Sequence, residues 1–500
     1  MTDFAEPLAA RAFSAAQVRE LERRAIETLG VTDYELMCRA GAAAFAAIER
    51  RWPKARSIAV VCGAGNNAGD GLVVARLAHA AGYAVSVLLV VEAQRFKGAA
   101  AQAAAAGADA GLAFVPFEPA ALGRADVIVD ALLGTGLTRP VSTQFRAAVD
   151  AVNAAAAPVL ALDVPSGLDA DSGWPSPVAV QATATITFIA LKQGLFLGAA
   201  ADHCGELELA ALGVPDALGS GLPPSLTRLG HDDLKRALPR RARSAHKGTN
   251  GRLLLVGGGP GMAGAIRLAA EAALRSGAGL VYVATHRDSV AAVLAGRPEI
   301  ICRSVSSIED LKDLMGLVDG AVLGPGLGQT AWAYGLWRDL VRADVPLVLD
   351  ADGLNWLAAE PFERSDWLLT PHVGEAARLL PGATAESVQS DRRAAVRALA
   401  ARYGAFAILK GPHTLVATPS PDEPLRVCDR GNPGMATGGT GDVLSGVLGS
   451  LLVQTGSLEL AAYAGVLLHA LAGDAAAQDG ERGTVAGDLL PHLRAWANPS

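Results

Sequence analysis

Short apolar runs, each closed by a polar loop containing glycine, recur along almost the whole chain. In the first half they occupy 56–62, 84–91, 126–133, 158–164 and 183–189. In the second half they begin at Leu253 and recur at 279–285, 320–323, 345–350, 367–370 and 406–409. Continuous apolar runs of this length, rich in Val, Ile and Leu, read as strands buried on both faces of a sheet. The segments between them are rich in alanine and carry helical spacing, as do 14–30 and 33–51 ahead of the first strand. Strand and helix in alternation predict an α/β fold with parallel sheets. Sites in such folds lie in the loops at the carboxyl ends of the strands.

Two glycine-rich stretches stand out. The first follows the 56–62 run directly and spans 63–71, with a helix expected from Leu72. Strand, glycine loop and helix form a mononucleotide-binding layout, although the spacing is not that of the dinucleotide fingerprint. The second runs Gly434-Met-Ala-Thr-Gly-Gly-Thr-Gly-Asp442-Val-Leu-Ser-Gly446, with a helix expected over 447–453. Between the halves, 212–243 is rich in turns and then basic, and reads as a solvated connector. The boundary is placed near residue 222, giving domains 1–222 and 223–500.

Composition narrows the classes. A formal net charge of −7 without a long basic run argues against a nucleic-acid surface. The five cysteines, Cys38, Cys62, Cys204, Cys302 and Cys428, have neither zinc nor redox spacing, so reduced thiols in a cytoplasmic protein are expected. The start of the chain lacks a signal peptide's pattern. No stretch of about 18 uncharged apolar residues is apparent, so no membrane span is expected.

Candidate chemistry sits at the strand ends. Asn67, Asp130 and Ser166 follow three different strands, and oxygen ligands from several loops could hold a hard cation. The alternative is that they cap turns and helices. Lys192 follows the strand at 183–189, where it is either a surface charge or the partner of Asp163. A Lys/Asp pair can supply an acid and a base when burial and mutual charge tune it. In the second half, a glycine turn opening a helix is an anion site. Asp442 beside it would serve as a proton acceptor or, alternatively, as a helix cap.

The phrases Gly65-Asn-Asn-Ala-Gly-Asp-Gly71, Val129-Asp-Ala-Leu-Leu-Gly-Thr-Gly136 and Asp163-Val-Pro-Ser-Gly-Leu-Asp-Ala170, with the Lys192 segment, resemble the NAD(P)H-hydrate epimerase domain. That resemblance implies a Rossmann-like three-layer αβα sandwich that binds potassium through Asn67, Asp130 and Ser166. It implies substrate contacts from Asn66, Asn67, Ala68, Gly69 and Asp70. The loop Gly134, Thr135, Gly136, Leu137, Thr138, Arg139 and Pro140 would add more, together with Asp163. Ala68 stands where the family's loop usually has Gly, and Gln193 where Pro is common. Thr370-Pro-His-Val-Gly-Glu375, Lys410-Gly-Pro-His-Thr414 and Gly438-Gly-Thr-Gly-Asp442 resemble the ribokinase-like ADP-dependent NAD(P)H-hydrate dehydratases. Here Lys410, Gly411, Pro412, His413, Thr414 and Gly441 would bind ADP or AMP. Ala265, Gly326, His372 and Asp442 would line the hydrated cofactor.

Taken together, the resemblances imply repair of hydrated NADH and NADPH. One domain would interconvert the epimers at nicotinamide C6. The other would dehydrate the S form with magnesium and ADP, releasing AMP and phosphate. Asp163, Lys192 and Asp442 are the expected catalytic groups, and a homo-oligomer is expected. The rival reading is a ribokinase-like kinase of a vitamin or sugar hydroxyl fused to a nucleotide-binding domain. A non-catalytic nucleotide sensor is a third, against which the presence of both Asp163 and Asp442 counts.

Overall fold

Burial of the apolar runs on both faces makes them strands. In the computed structural model, which describes residues 8–136 and 140–499, Ile58 through Cys62 and Val127 through Ala131 are buried without interruption. The chain divides into two compact units, Met1–Thr227 and Arg228–Ser500.

In the first unit, strands β1 (Ser57–Cys62), β2 (Ala84–Leu89), β3 (Phe114–Pro116), β4 (Val127–Ala131), β5 (Val159–Leu162), β6 (Ala184–Phe188) and β7 (Glu206–Ala210) form one sheet. Their order is β3-β2-β1-β4-β5-β6-β7, with every pairing parallel. Helices α1 (Ala15–Leu29), α2 (Asp33–Arg51) and α3 (Asn66–Ala80) pack on one face through Leu21, Ile48, Leu72 and Val74. The other face is covered around Ala148, Val149 and Val152. This is the parallel sheet expected from the alternation of strand and helix, in the three-layer sandwich that the resemblance implied.

In the second unit, β8 (Arg252–Val256), β9 (Leu280–Thr285), β10 (Ile301–Ser304), β11 (Gly320–Leu323), β12 (Leu347–Leu349), β13 (Trp367–Leu369) and β14 (Phe406–Leu409) run in parallel. Strands β15 (Thr414–Ala417) and β16 (Leu425–Cys428) continue the sheet antiparallel. The order is β10-β9-β8-β11-β12-β13-β14-β15-β16. On one face α4 (Ala263–Arg275), α7 (Thr440–Thr455) and α8 (Leu458–Ala476) enclose Ile266, Val447, Leu451 and Leu468. The elements α5 (Val373–Leu379) and α6 (Arg392–Tyr403) lie between β13 and β14 in the chain.

Both glycine stretches are shorter loops than expected. Helix α3 starts at Asn66 rather than Leu72, with Gly65 as its cap. The glycines inside it serve close packing, not backbone freedom. A Cβ on Gly69 would lie 2.5 Å from Met37 Sδ, and one on Gly71 2.5 Å from Ala131 Cβ. Likewise α7 starts at Thr440 rather than 447, and its cap is Gly439 at φ 95°. Asp442 is therefore not the cap; it stands in the first helical turn.

Helix α8 is long and apolar enough to cross a bilayer by length and composition, but 67% of that window is buried in the fold. It is a core helix. The basic connector is not wholly solvated either, since Arg241 donates to Gln454 Oε1 at 2.6 Å and to the carbonyl of Gly277, past the end of α4. The cysteines among the described residues are all free.

Gly446 marks the tightest helix contact. A Cβ there would fall 2.0 Å from the carbonyl oxygen of Ala269, so α7 rests directly on α4. Gly446→Ala should cost the second unit about 2 kcal/mol, because overpacking outweighs the roughly 1 kcal/mol gain in helix propensity. Thermal or urea unfolding measures this; a variant as stable as the parent would mean that the helices separate freely.

Candidate active sites

In each unit the expected residues emerge at the carboxyl ends of the parallel strands. In the first, β1 delivers Asn66 to Asp70 on the opening turns of α3, β4 ends at Asp130 and Ala131, and β5 leads into Asp163. Asp163 takes φ 65° and Ile189 φ 67°, a left-handed backbone that non-glycine residues rarely hold. Such strain persists where surrounding bonds over-determine it, and it clusters at functional sites. Here the amide of Asp163 donates to the carbonyl of Ile186 at 2.8 Å.

Lys192 is buried, with its side chain 1% exposed. Its ammonium donates to Asp163 Oδ1, to Thr187 Oγ1 at 3.0 Å and to the carbonyl of Phe188 at 2.8 Å. The surface-charge alternative is thereby excluded. Two more carboxyls stand close enough to feel this pair. Burial first, and then the charge of Asp163, pushes Asp70 well above the usual carboxylate range. The same two causes raise Glu22 of α1. The site is thus a buried lysine among three carboxyls. Glu22 was not anticipated; on a helix with ordinary amphipathic spacing it looks like any surface glutamate.

Asn67, Asp130 and Ser166 do converge. Ser166 donates through its amide to Asp130 Oδ2 at 2.8 Å and through its hydroxyl to Oδ1 at 2.5 Å. The amide of Leu133 donates to Ser166 Oγ at 2.8 Å, and Asn67 Nδ2 donates to the carbonyl of Leu133 at 2.9 Å. Asn67 Oδ1 is buried without a hydrogen-bond partner. Burial pushes Asp130 up to about 6, against the lowering effect of Ser166. Gly134 closes over this group, since a Cβ there would be 3.3 Å from Asn67 Cβ. Gly134, Thr135, Gly136 and Pro140 lie in the loop after β4, whereas Leu137, Thr138 and Arg139 fall outside the described residues. Ala68 is fully buried in α3.

In the second unit, Lys410 follows β14 and donates to Asp350 Oδ1 at 2.7 Å, with Glu375 Oε2 at 3.9 Å. Burial alone would lower its affinity for the proton; Asp350 and Glu375 outweigh this and raise it. Asp350 is itself 2% exposed and accepts from Thr370 Oγ1 at 2.7 Å and Ser445 Oγ at 2.6 Å. Burial would raise Asp350, but the ammonium and these hydroxyls hold it below its ordinary range. Gly441 sits against the pair, a Cβ there lying 3.4 Å from Lys410 Nζ. Asp442 is pushed up to about 6, by burial first and by the like charge of Asp350 second.

The remaining expected residues border this centre. Ala265 and Gly326 touch, since a Cβ on Gly326 would lie 3.1 Å from Ala265 Cβ. Asp352 accepts from the amide of Gly328 at 2.7 Å and also bears on Asp442. Between Asp350 and Asp352, Ala351 is strained at φ 48°. His372 caps α5, its Nδ1 accepting from the amide of Gly374 at 2.9 Å while its own amide donates to Glu375 Oε2 at 2.8 Å. With Nδ1 an acceptor the ring is the Nε2–H tautomer, and burial followed by the nearby Lys410 lowers its basicity. Gly411 and His413 both take positive φ, 143° and 50°, and Thr414 Oγ1 donates to the carbonyl of Gly411 at 3.0 Å. Asp350 and Ser445, which organise Lys410, were not singled out from sequence. An aspartate ending an apolar run was the available signal for the first; the serine carried none.

The comparisons with known proteins follow this division. Residues 33–194 match the family described as YjeF-related protein N-terminus, and residues 253–494 the family described as NAD(P)H-hydrate dehydratase. The chain is 49% identical over 484 residues to a bifunctional NAD(P)H-hydrate repair enzyme of Coxiella burnetii, covering 97% of this chain and 98% of the relative. It is 43% identical over 486 residues to that of Escherichia coli, covering 97% and 93%. A solved ribokinase-like superfamily protein from Enterococcus faecalis is 27% identical, with a TM-score of 0.51, over 55% of this chain and 95% of that one.

Proposed function

The chain belongs to the family of bifunctional NAD(P)H-hydrate repair enzymes, and from that premise we propose which groups perform each half of the repair. The substrate is NADH or NADPH that has gained water across the nicotinamide C5–C6 double bond. The observation that carries the reading is Asp442 in the first turn of α7, beside the Lys410–Asp350 pair and raised to about 6.

Hydroxide is a poor leaving group, so the C6 hydroxyl must be activated. Asp442 takes the hydroxyl proton as the oxygen attacks the β-phosphorus of ADP. Lys410 and the amino end of α7 stabilise the charge on the transferring phosphoryl group. AMP leaves, and the C6 oxygen carries the phosphate away as a proton departs from C5, which restores the double bond. Magnesium, as the complex of ADP, would supply further positive charge at the phosphates. Ala265, Gly326 and His372 border the hydrated ring, with the Nε2–H of His372 available to donate. Lys410 to Thr414 and Gly441 hold the nucleotide.

In the first unit, Asp163 and Lys192 are the proton-handling groups for interconversion of the two epimers at C6. The substrate is held by Asn66 to Asp70 and by the loop from Gly134 to Pro140. The residues proposed for potassium fit a monovalent ion. Asn67 Oδ1 is buried and unpartnered beside a single formal carboxylate, Asp130. A divalent ion usually recruits more carboxylates. Potassium held by Asn67, Asp130 and Ser166 would supply positive charge beneath the loops that face the substrate's phosphates. Free thiols suit a reducing compartment such as the cytoplasm. Assembly of several copies remains part of the proposal.

Asp442→Asn should lower dehydration about 10²–10⁴-fold and leave epimerisation intact, since the amide keeps the shape and loses the base. The parent's dehydration rate should fall as pH drops through about 6, because only ionised Asp442 accepts the proton. NADH regeneration by the variant at the parent's rate, followed by absorbance, would sink the assignment.

Asp163→Asn should do the reverse. The S epimer is still cleared, while the R form persists apart from spontaneous interconversion. Clearance of both epimers at the parent's rate would leave Asp163 a structural group.

Potassium should raise the melting temperature of the first unit relative to a large organic cation, and lower the epimerase KM. Asp130→Ala should lose both effects. Equal melting in both cations would return Asn67, Asp130 and Ser166 to turn capping.

A further inference from the structure

Arg392, the first residue of α6, is 6% exposed. Its guanidinium donates to the carbonyls of Leu409 at 3.1 Å, Lys410 at 3.3 Å and Pro412. Among the described residues no carboxylate pairs with it, and its Nε is buried without a partner. A buried charge is ordinarily paired, because burial in a low-dielectric interior penalises the charged form. Burial here draws the guanidinium down to about 10, so it keeps its charge at neutral pH.

The three carbonyls belong to the segment that carries Lys410 to Thr414. In a trans peptide the carbonyl and the following N–H point in opposite directions. Carbonyls turned toward Arg392 therefore turn the amides of Lys410, Gly411 and His413 away from it. The Lys410 amide is taken by the carbonyl of Pro371 at 2.9 Å. Gly411, whose amide follows the Lys410 carbonyl held by Arg392, takes φ 143°. A Cβ on Gly411 would lie 3.0 Å from Arg392 Nη2, so only glycine lets the loop close on the guanidinium without displacing it. A backbone amide presented in this way beside an ammonium group is a donor for an anionic oxygen.

We propose that Arg392 is a positioning residue for the phosphates of a nucleoside diphosphate. It holds the carbonyls of Leu409, Lys410 and Pro412 inward so that the Gly411 amide faces the ligand, and its charge adds to that of Lys410. This rests on the reading that the Lys410–Thr414 loop binds ADP. Phosphate is the ligand part that answers an unpaired cation; adenosine alone would not.

The test uses the full-length protein with Arg392→Met and Arg392→Lys, and titrates ADP and adenosine by calorimetry. Arg392→Met should weaken ADP at least tenfold and leave adenosine within about twofold. Its KM for ADP should rise while kcat at saturating ADP changes little, and epimerase activity should stay at the parent's level. Arg392→Lys, which keeps the charge but cannot span three carbonyls, should fall between. If Arg392→Met fails to fold, the Lys variant alone decides by the same ratio of ADP to adenosine. Equal weakening of ADP and adenosine, or no weakening of either, overturns the proposal. A parent protein that does not bind ADP overturns the nucleotide reading itself, a result distinct from failure of the arginine's role.

Discussion

A lysine ammonium set against a carboxylate at the carboxyl end of a parallel strand occurs in each unit. Lys192 meets Asp163 after β6, and Lys410 meets Asp350 after β14. Removing either charge from water is costly, and the mutual attraction compensates only when further hydrogen bonds satisfy the remaining donors and acceptors. Those bonds are present. Thr187 and the carbonyl of Phe188 serve Lys192, while Thr370 and Ser445 serve Asp350. Breaking one member of such a pair typically costs about 3–5 kcal/mol, which binds the chemistry to the fold. The neighbouring carboxyls take their character from the same arrangement. Asp70 and Asp442 are both raised, by burial first and by the charge of a neighbouring aspartate second.

Glycine makes these sites reachable. Gly69, Gly71 and Gly446 lie inside helices, where they cost propensity, and each meets a neighbouring element at a distance that no side chain permits. Close approach brings the amino ends of α3 and α7 against the strand ends, so that the helix dipole and the first-turn residues point into the sites. Gly441 does the same for Lys410. The strained turn at Asp163 is held by its bonds to Ile186 and Lys192, which are distant in sequence.

The strands and their order of appearance were legible because buried parallel strands write themselves as continuous apolar runs. The functional loops were legible because a parallel sheet collects its polar residues at one edge. The starts of α3 and α7 were not. A glycine run looks like a loop when its Cβ-free positions are read as conformational freedom, whereas at Gly69, Gly71 and Gly446 they answer contacts made by Met37, Ala131 and Ala269. The connector was similarly misjudged, since Arg241 looks solvated until Gly277 and Gln454 are placed beside it.

By itself the sequence determined the α/β class, the two glycine-bearing sites, the pairing of Lys192 with Asp163 as one of two readings, and the family resemblance. All of these are written in local runs and spacings. Only the tertiary structure decided that Lys192 is buried, that Asp350 rather than Asp442 holds Lys410, that Glu22 feels the charge of Asp163, and that Arg392 is bonded to the loop of Lys410. Burial and electrostatic contact depend on distances between elements far apart in the chain: Glu22 is brought to Asp163, and Lys410 to Asp350, by the packing of whole layers. A carboxylate's role is set by the charges folded around it, and no spacing along the chain records those.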